Sequence, residues 1–177
     1  MDIAAAVKLA KSSAIAIVFV NQPMQEGMDA VTLSLPDNQD ALVEAVAAAN
    51  PNTIVVIENG GPVSMPWVQH VKGVVEVWYP GIGGAQALAN ILFGEVNPSG
   101  KLPVTFAKDE AQLPHPVVPG LEGVAPGPNQ EHKVQPFDVN YNSEGAKVGY
   151  KWFEATNKQP SSHSASACLT PPTLTRA

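Results

Sequence analysis

The stretch Ala14-Ile15-Ala16-Ile17-Val18-Phe19-Val20 decides the fold of this chain. Seven consecutive apolar residues, most of them β-branched or aromatic, have the length and chemistry of a strand. No polar residue interrupts them, so both faces are apolar, as in a parallel strand covered by helices on both sides. Upstream, Ile3 to Lys11 reads as a helix. Its alanines, with Val7, Leu9 and Ala10, supply an apolar face, and Ser12-Ser13 end it.

Working downstream, the same unit repeats. Pro36 opens a second helix with Asp37 and Asp40 in its first turn, where acidic groups suit the helix dipole. Leu42, Val43, Ala45, Val46 and Ala49 form its buried stripe, and Asn50-Pro51-Asn52 stops it. Thr53 to Ile57 is the next buried strand. Met65-Pro66-Trp67-Val68 begins a brief helix, and Val74 to Tyr79 is a third strand. Pro80 to Gly84 turns into a helix over Ala85 to Phe93. Asn97-Pro98-Ser99-Gly100 is a turn, and Lys101 to Phe106 is a fourth strand.

Strands alternating with helices at this spacing predict an α/β fold, a three-layer α/β/α sandwich around a mostly parallel sheet. Residues 1–107 form the partial sandwich. Residues 108–160 are a Pro/Gly-rich extended loop and a return segment, with a short ordered piece at Val148 to Phe153. Four strands are few for a doubly wound domain, and the chain opens in the middle of a helix–strand unit. The expectation is that the N-terminal part of a parent domain is absent.

Composition narrows the function classes. The 177 residues are 45% hydrophobic and 15% charged, enough for a core and unlike a disordered chain. A net charge of -6 with scattered Lys and Arg argues against nucleic-acid and anionic-membrane partners. The longest apolar run is far short of the roughly 20 residues that span a bilayer. No signal peptide is visible, so localisation is left unassigned. The single cysteine, Cys168, permits no internal disulfide, and no His, Cys or carboxylate spacing suggests a metal or cofactor.

In open parallel sheets, ligands bind beyond the carboxyl ends of the strands. Three loops qualify: Asn21 to Leu35, Glu58 to Pro62 and Pro80 to Gly84. The first has fifteen residues, against a usual two to six or so, and carries Glu26 and Asp29 around Gly27. From the residues alone, Glu26 reads more readily as a solvated surface charge than as a functional group, and Asp29 as a cap for local N–H groups. Gly81-Ile82-Gly83-Gly84 lacks the full G-x-G-x-x-G spacing and reads as a tight strand-to-helix turn. Ser64 is not in a G-x-S-x-G elbow. His70, His115, His132 and His163 lie far apart. Trp67, Trp78 and Trp152 have the chemistry to stack on a sugar ring, though core packing serves each as well.

The blocks Glu26-Gly27-Met28-Asp29, Leu33-Ser34-Leu35-Pro36, Gly61-Pro62-Val63, Met65-Pro66-Trp67 and Trp78-Tyr79-Pro80-Gly81 occur in a telling order. So do Leu92-Phe93-Gly94, Asn97-Pro98-Ser99-Gly100-Lys101-Leu102-Pro103, Tyr141, Glu144-Gly145 and Val148-Gly149-Tyr150. Over roughly residues 3–160 the chain resembles the carboxy-terminal α/β domain of glycoside hydrolase family 3, the β-glucosidase family. The resemblance implies a retaining β-glycosidase that acts on a β-glucoside or other small carbohydrate. In the family a (β/α)₈-type barrel supplies an aspartate nucleophile, and the α/β sandwich supplies the general acid/base, matched here by Glu26. Gly27 and Asp29 would support that loop, and Trp67 and Trp78 are candidate substrate contacts. Such chemistry needs the two carboxyl groups about 5–5.5 Å apart. It also needs an acid whose pKa a closed, partly apolar pocket has raised.

Departures from the family pattern set the expected activity. No barrel is legible, so the nucleophile is expected to be missing and the isolated chain weak or inactive. The resemblance puts the parent enzyme in the bacterial cytoplasm or periplasm. Two alternatives stand beside it. One is a non-catalytic sugar-binding or self-associating module, a homo-oligomer covering the truncated sheet edge. The other is a promiscuous small hydrolase of esters or lactones, which no nucleophile–base pair supports.

The tail also departs. Family members usually carry Leu-Phe-Pro-Phe-Gly-Phe-Gly-Leu-Ser-Tyr-Thr where this chain has Ser161 to Thr173. One DNA string encodes both in frames offset by one base. Residues 161–177 therefore read as an out-of-frame, irregular tail, in which Cys168 and Arg176 have no functional role.

Overall fold

A computed structural model describes residues 2–26, 30–117, 138, 140 and 142–166. Its centre is a parallel sheet of three strands, β1 (Ala16–Gln22), β2 (Thr53–Asn59) and β3 (Gly73–Glu76), in the order β1-β2-β3. The register pairs Val18 with Val55, Gln22 with Asn59, and Ile57 with Glu76. Helix α1 (Ile3–Lys11) precedes β1, α2 (Gln39–Ala49) links β1 to β2, α3 (Gly84–Leu92) follows β3, and α4 (Tyr150–Ala155) lies near the C-terminus.

Two apolar layers sandwich the central strand. On one side Val18, Val20, Val55, Ile57 and Val74 pack with Ala10 of α1, Val43 and Val46 of α2, and Trp67 and Phe106. On the other, Ile54, Val56 and Val75 pack with Leu88 and Leu92 of α3. Period-two alternation thus sends successive residues of β2 into opposite layers, which is why its apolar run is uninterrupted. Asn50 ties the first layer together. Its side-chain amide donates to the Ala10 carbonyl at 3.0 Å and the Ser13 carbonyl at 2.8 Å, joining the ends of α1 and α2.

Several expectations are corrected. β1 is covered on one face only: Val18, Val20 and Gln22 are buried, whereas Ile17 and Phe19 are 45% and 61% exposed. No described helix reaches across α3's side to cover them. Lys101 to Phe106 is not a fourth strand of this sheet. Phe106 instead forms an isolated antiparallel bridge to Ser162, outside the three strands. The second helix begins at Gln39, because Asp37 and Asn38 take the left-handed backbone conformation and cannot continue a right-handed turn.

Residues 161–166, expected to be irregular, run antiparallel to 102–106. The Ser161 N–H donates to the Phe106 carbonyl and the Phe106 N–H to the Ser162 carbonyl, both at 2.8 Å. The Ala165 N–H donates to the Leu102 carbonyl at 2.8 Å and the Leu102 N–H to the Ser166 carbonyl at 3.1 Å. Residues 167–177, with Cys168 and Arg176, lie outside the described residues, as do 118–137, 139 and 141 of the Pro/Gly-rich stretch.

Candidate active site

The loops that leave the three strands converge at the carboxyl edge of the sheet. The long loop after β1 spans residues 23–38 and is pinned at both ends. At its start, the Met24 N–H donates to the Tyr79 hydroxyl at 2.7 Å. That hydroxyl lies 3.3 Å from the Gln22 and Met24 carbonyls and can donate to either. Gly60, on the loop after β2, completes the contact. A Cβ there would lie 2.9 Å from both Met24 Cβ and the Tyr79 hydroxyl oxygen, so any larger residue must displace one of them.

At its far end the loop is held by Glu110. That carboxylate accepts from the Thr32 hydroxyl at 2.6 Å and the Leu33 N–H at 2.7 Å. Burial alone would push Glu110 up, but these two donors favour its charged form and bring it below the usual carboxylate range. The Ser64 N–H donates to the Leu33 carbonyl at 2.8 Å, adding a third tie. Gln39 secures the base of the loop by binding both main-chain groups of Asn21, each at 2.8 Å. These bonds also occupy polar groups that the sheet-edge strand β1 would otherwise leave unpaired.

Glu26 is exposed and in a turn, two residues after the Met24 anchor and ahead of the Glu110 anchor in the chain. Gly27 and Asp29 lie outside the described residues. Trp67, offered by the sequence as a substrate contact, is corrected to a core residue. It is fully buried, and its indole N–H donates to Asp40 Oδ1 at 2.7 Å, so no face is left for a ligand. Trp78 is half-buried and packs against Phe106 with ring centroids 6.0 Å apart. It lines an open cavity of about 490 Å³ between Val75, Leu88, Ile91, Lys101 and Leu102. The described residues of the Glu26 loop do not line that cavity.

Glu76 was missed by the sequence reading. It ends β3 on the same face as Val74, directed into the core layer. Burial pushes its carboxyl up to about 7, despite the Trp78 N–H and the Asn59 amide, which favour the charged form. Oε1 accepts from the Trp78 N–H at 2.8 Å. A carboxylate in the inward register of an otherwise apolar strand was the available signal. Trp78 itself has φ 51°, a left-handed conformation that costs a bulky residue on the order of 1–2 kcal/mol. Tyr79, Gly60 and Glu110 gave no local signal, since their partners lie far away in sequence.

Among the described residues no cluster of three or more His, Cys, Asp or Glu side chains is placed to hold a metal ion. No helix among them is long and apolar enough to cross a membrane.

Comparison with known proteins places this arrangement. Residues 1–150 match the glycosyl hydrolase family 3 C-terminal domain. The chain is 44% identical over 155 residues to β-glucosidase B of Emericella nidulans, covering 84% of this chain and 18% of that protein. It is 38% identical over 161 residues to a β-glucosidase of Rhizobium radiobacter, covering 89% and 18% respectively. Among solved structures it resembles DesR, a β-glucosidase from Streptomyces venezuelae in complex with D-glucose. The TM-score is 0.71 at 38% identity, over 93% of this chain and 20% of that one. It also resembles the β-glucosidase of Kluyveromyces marxianus in complex with glucose, with TM-score 0.78 at 27% identity, over 93% and 19%. The chain thus spans about a fifth of the length of these relatives. With its parallel sheet, its converging carboxyl-edge loops and the match over residues 1–150, the chain belongs to glycosyl hydrolase family 3, through that family's C-terminal domain.

Proposed function

We propose that this chain carries the acid/base half of a retaining β-glucosidase site, with Glu26 as the proton-transfer group. The observation that carries the reading is the placement of Glu26. It is an exposed carboxylate on a turn at the sheet's carboxyl edge, between the Tyr79 and Glu110 anchors. Glu26 gives a proton to the leaving glycosidic oxygen, then takes one from the water that releases the sugar. The carboxylate that attacks the anomeric carbon comes from outside these 177 residues. It must stand about 5–5.5 Å from Glu26 across the scissile bond. The isolated chain is therefore expected to turn over β-glucosides weakly or not at all.

Exchange of the corresponding segment of the Rhizobium radiobacter relative for residues 1–160 tests this. The chimera should hydrolyse an alkyl β-glucoside, and Glu26→Gln should lower kcat by about 10²–10⁴-fold. The loss should be smaller for an aryl glucoside whose leaving group needs little protonation. An equal, small effect on both substrates would sink the assignment.

We further infer that the isolated chain self-associates. Ile17 and Phe19 stand exposed on one face of the edge strand β1, with exposed Ile15 just before the strand. Such a patch favours a partner surface. Light scattering that finds a monodisperse monomer at every concentration would remove this reading.

A further inference from the structure

We propose that Glu76 is a positioning residue for the Glu26 loop, acting through the turn at Trp78 and the hydroxyl of Tyr79. Two hydrogen bonds, joined through the Trp78–Tyr79 turn, link Glu76 to the loop. Glu76 Oε1 accepts the Trp78 N–H at 2.8 Å, across a two-residue span. Trp78 stands at φ 51°, where a large side chain stays only if neighbouring groups hold it there. The next residue is Tyr79, whose direction is set by that turn. Its hydroxyl accepts the Met24 N–H at 2.7 Å, two residues before Glu26.

The geometry leaves little slack. A side chain at position 60 would collide with both Met24 and the Tyr79 hydroxyl, so the glycine there is what lets these two groups meet. The Trp78 side chain is fixed against Phe106, which is itself buried. If the bond to Glu76 is lost, Trp78 can relax to a right-handed or extended conformation. The Tyr79 ring then swings away, and the start of the Glu26 loop loses its anchor. The hydrogen bonds of Glu76 to the Trp78 N–H and the Asn59 amide lie outside that loop. The proposal rests on the Glu26 reading only for its catalytic meaning. The loop's geometry can be measured whether or not Glu26 transfers a proton.

The test is amide hydrogen exchange at Met24 in the full 177-residue chain, with Val55 and Val56 of the buried central strand as internal controls. Glu76→Leu keeps the bulk but removes the acceptor, and should speed Met24 exchange by about tenfold or more. Glu76→Gln keeps an acceptor oxygen for the Trp78 N–H and should restore slow exchange. A residue that merely fills space would not show that rescue. Tyr79→Phe, at an exposed site that tolerates the change, should match Glu76→Leu at Met24 and leave Val55 and Val56 slow. If Tyr79→Phe leaves Met24 slow, the proposal is overturned, whatever Glu76→Leu does to the fold. It is equally overturned if Glu76→Leu and Glu76→Gln expose Met24 to the same extent.

Discussion

The two faces of β1 carry the same kind of side chain and meet opposite fates. Val18 and Val20 are 7% and 2% exposed under α1 and α2, while Ile17 and Phe19 on the reverse stand 45% and 61% exposed. Hydrophobicity fixed neither outcome; what differs is the layer supplied to cover each face. α3 reaches β2 and β3 but leaves β1 bare. On the covered face the strands also end in polar groups, Gln22, Asn59 and Glu76, and it is from there that the Glu26 loop is organised. The covered face holds the fold and orients the candidate site, and the bare face is free to meet another surface.

The largest expected effect breaks this contrast directly. Val20→Asp buries an unpaired charge and should cost about 4 kcal/mol or more, enough to abolish cooperative thermal unfolding. Phe19→Asp, one residue away, should change stability by about 0.5 kcal/mol or less while abolishing self-association in light scattering. Similar losses from both substitutions would show that the two faces are equally buried in solution.

A smaller effect concerns the polar end of the covered face. Burial raises Glu76 to about 7 from its usual 4.5. Between these values the folded chain keeps a proton that the unfolded chain has released. Stability should therefore fall as pH rises through that window. Because the group is partly solvated, the decline should be about 1–2 kcal/mol. Denaturant unfolding at several pH values should show it, and Glu76→Gln should flatten the curve.

The smallest effect lies at the loop's far anchor. Glu110→Ala removes the acceptor of Thr32 and Leu33 and should cost about 1 kcal/mol. Since Glu110 sits below the usual carboxylate range, its contribution is present above the ordinary value of 4.5 and lost as pH falls through the lower, folded value. Faster exchange at the Leu33 amide, with β2 unchanged, would separate loop release from general destabilisation.

Much of this was legible along the chain because it is local. The apolar run of β1, the alternation in β2 and the Asn50-Pro51-Asn52 stop each declare themselves within a few residues. The bare face of β1 was not legible, because an apolar face looks the same with or without a cover. Trp67 was misread for a related reason: an aromatic ring that packs in a core and one that stacks on a sugar have the same composition. Glu26 emerged from loop length and family resemblance, but its anchors did not. Tyr79 and Met24 are 55 residues apart, and Glu110 and Leu33 are 77 apart. Such pairs exist only once the sheet has brought the strand ends together.

The pairing of residues 161–166 with 102–106 is made from main-chain groups, which nearly every residue type possesses. A ladder of that kind checks direction and spacing and is almost blind to spelling. Many different sequences can occupy the slot, provided they have no proline where an N–H must donate. The closing segment is thus the part of the molecule whose wording is freest to drift, and a natural place to splice in a label or a linker without disturbing the loop that carries Glu26.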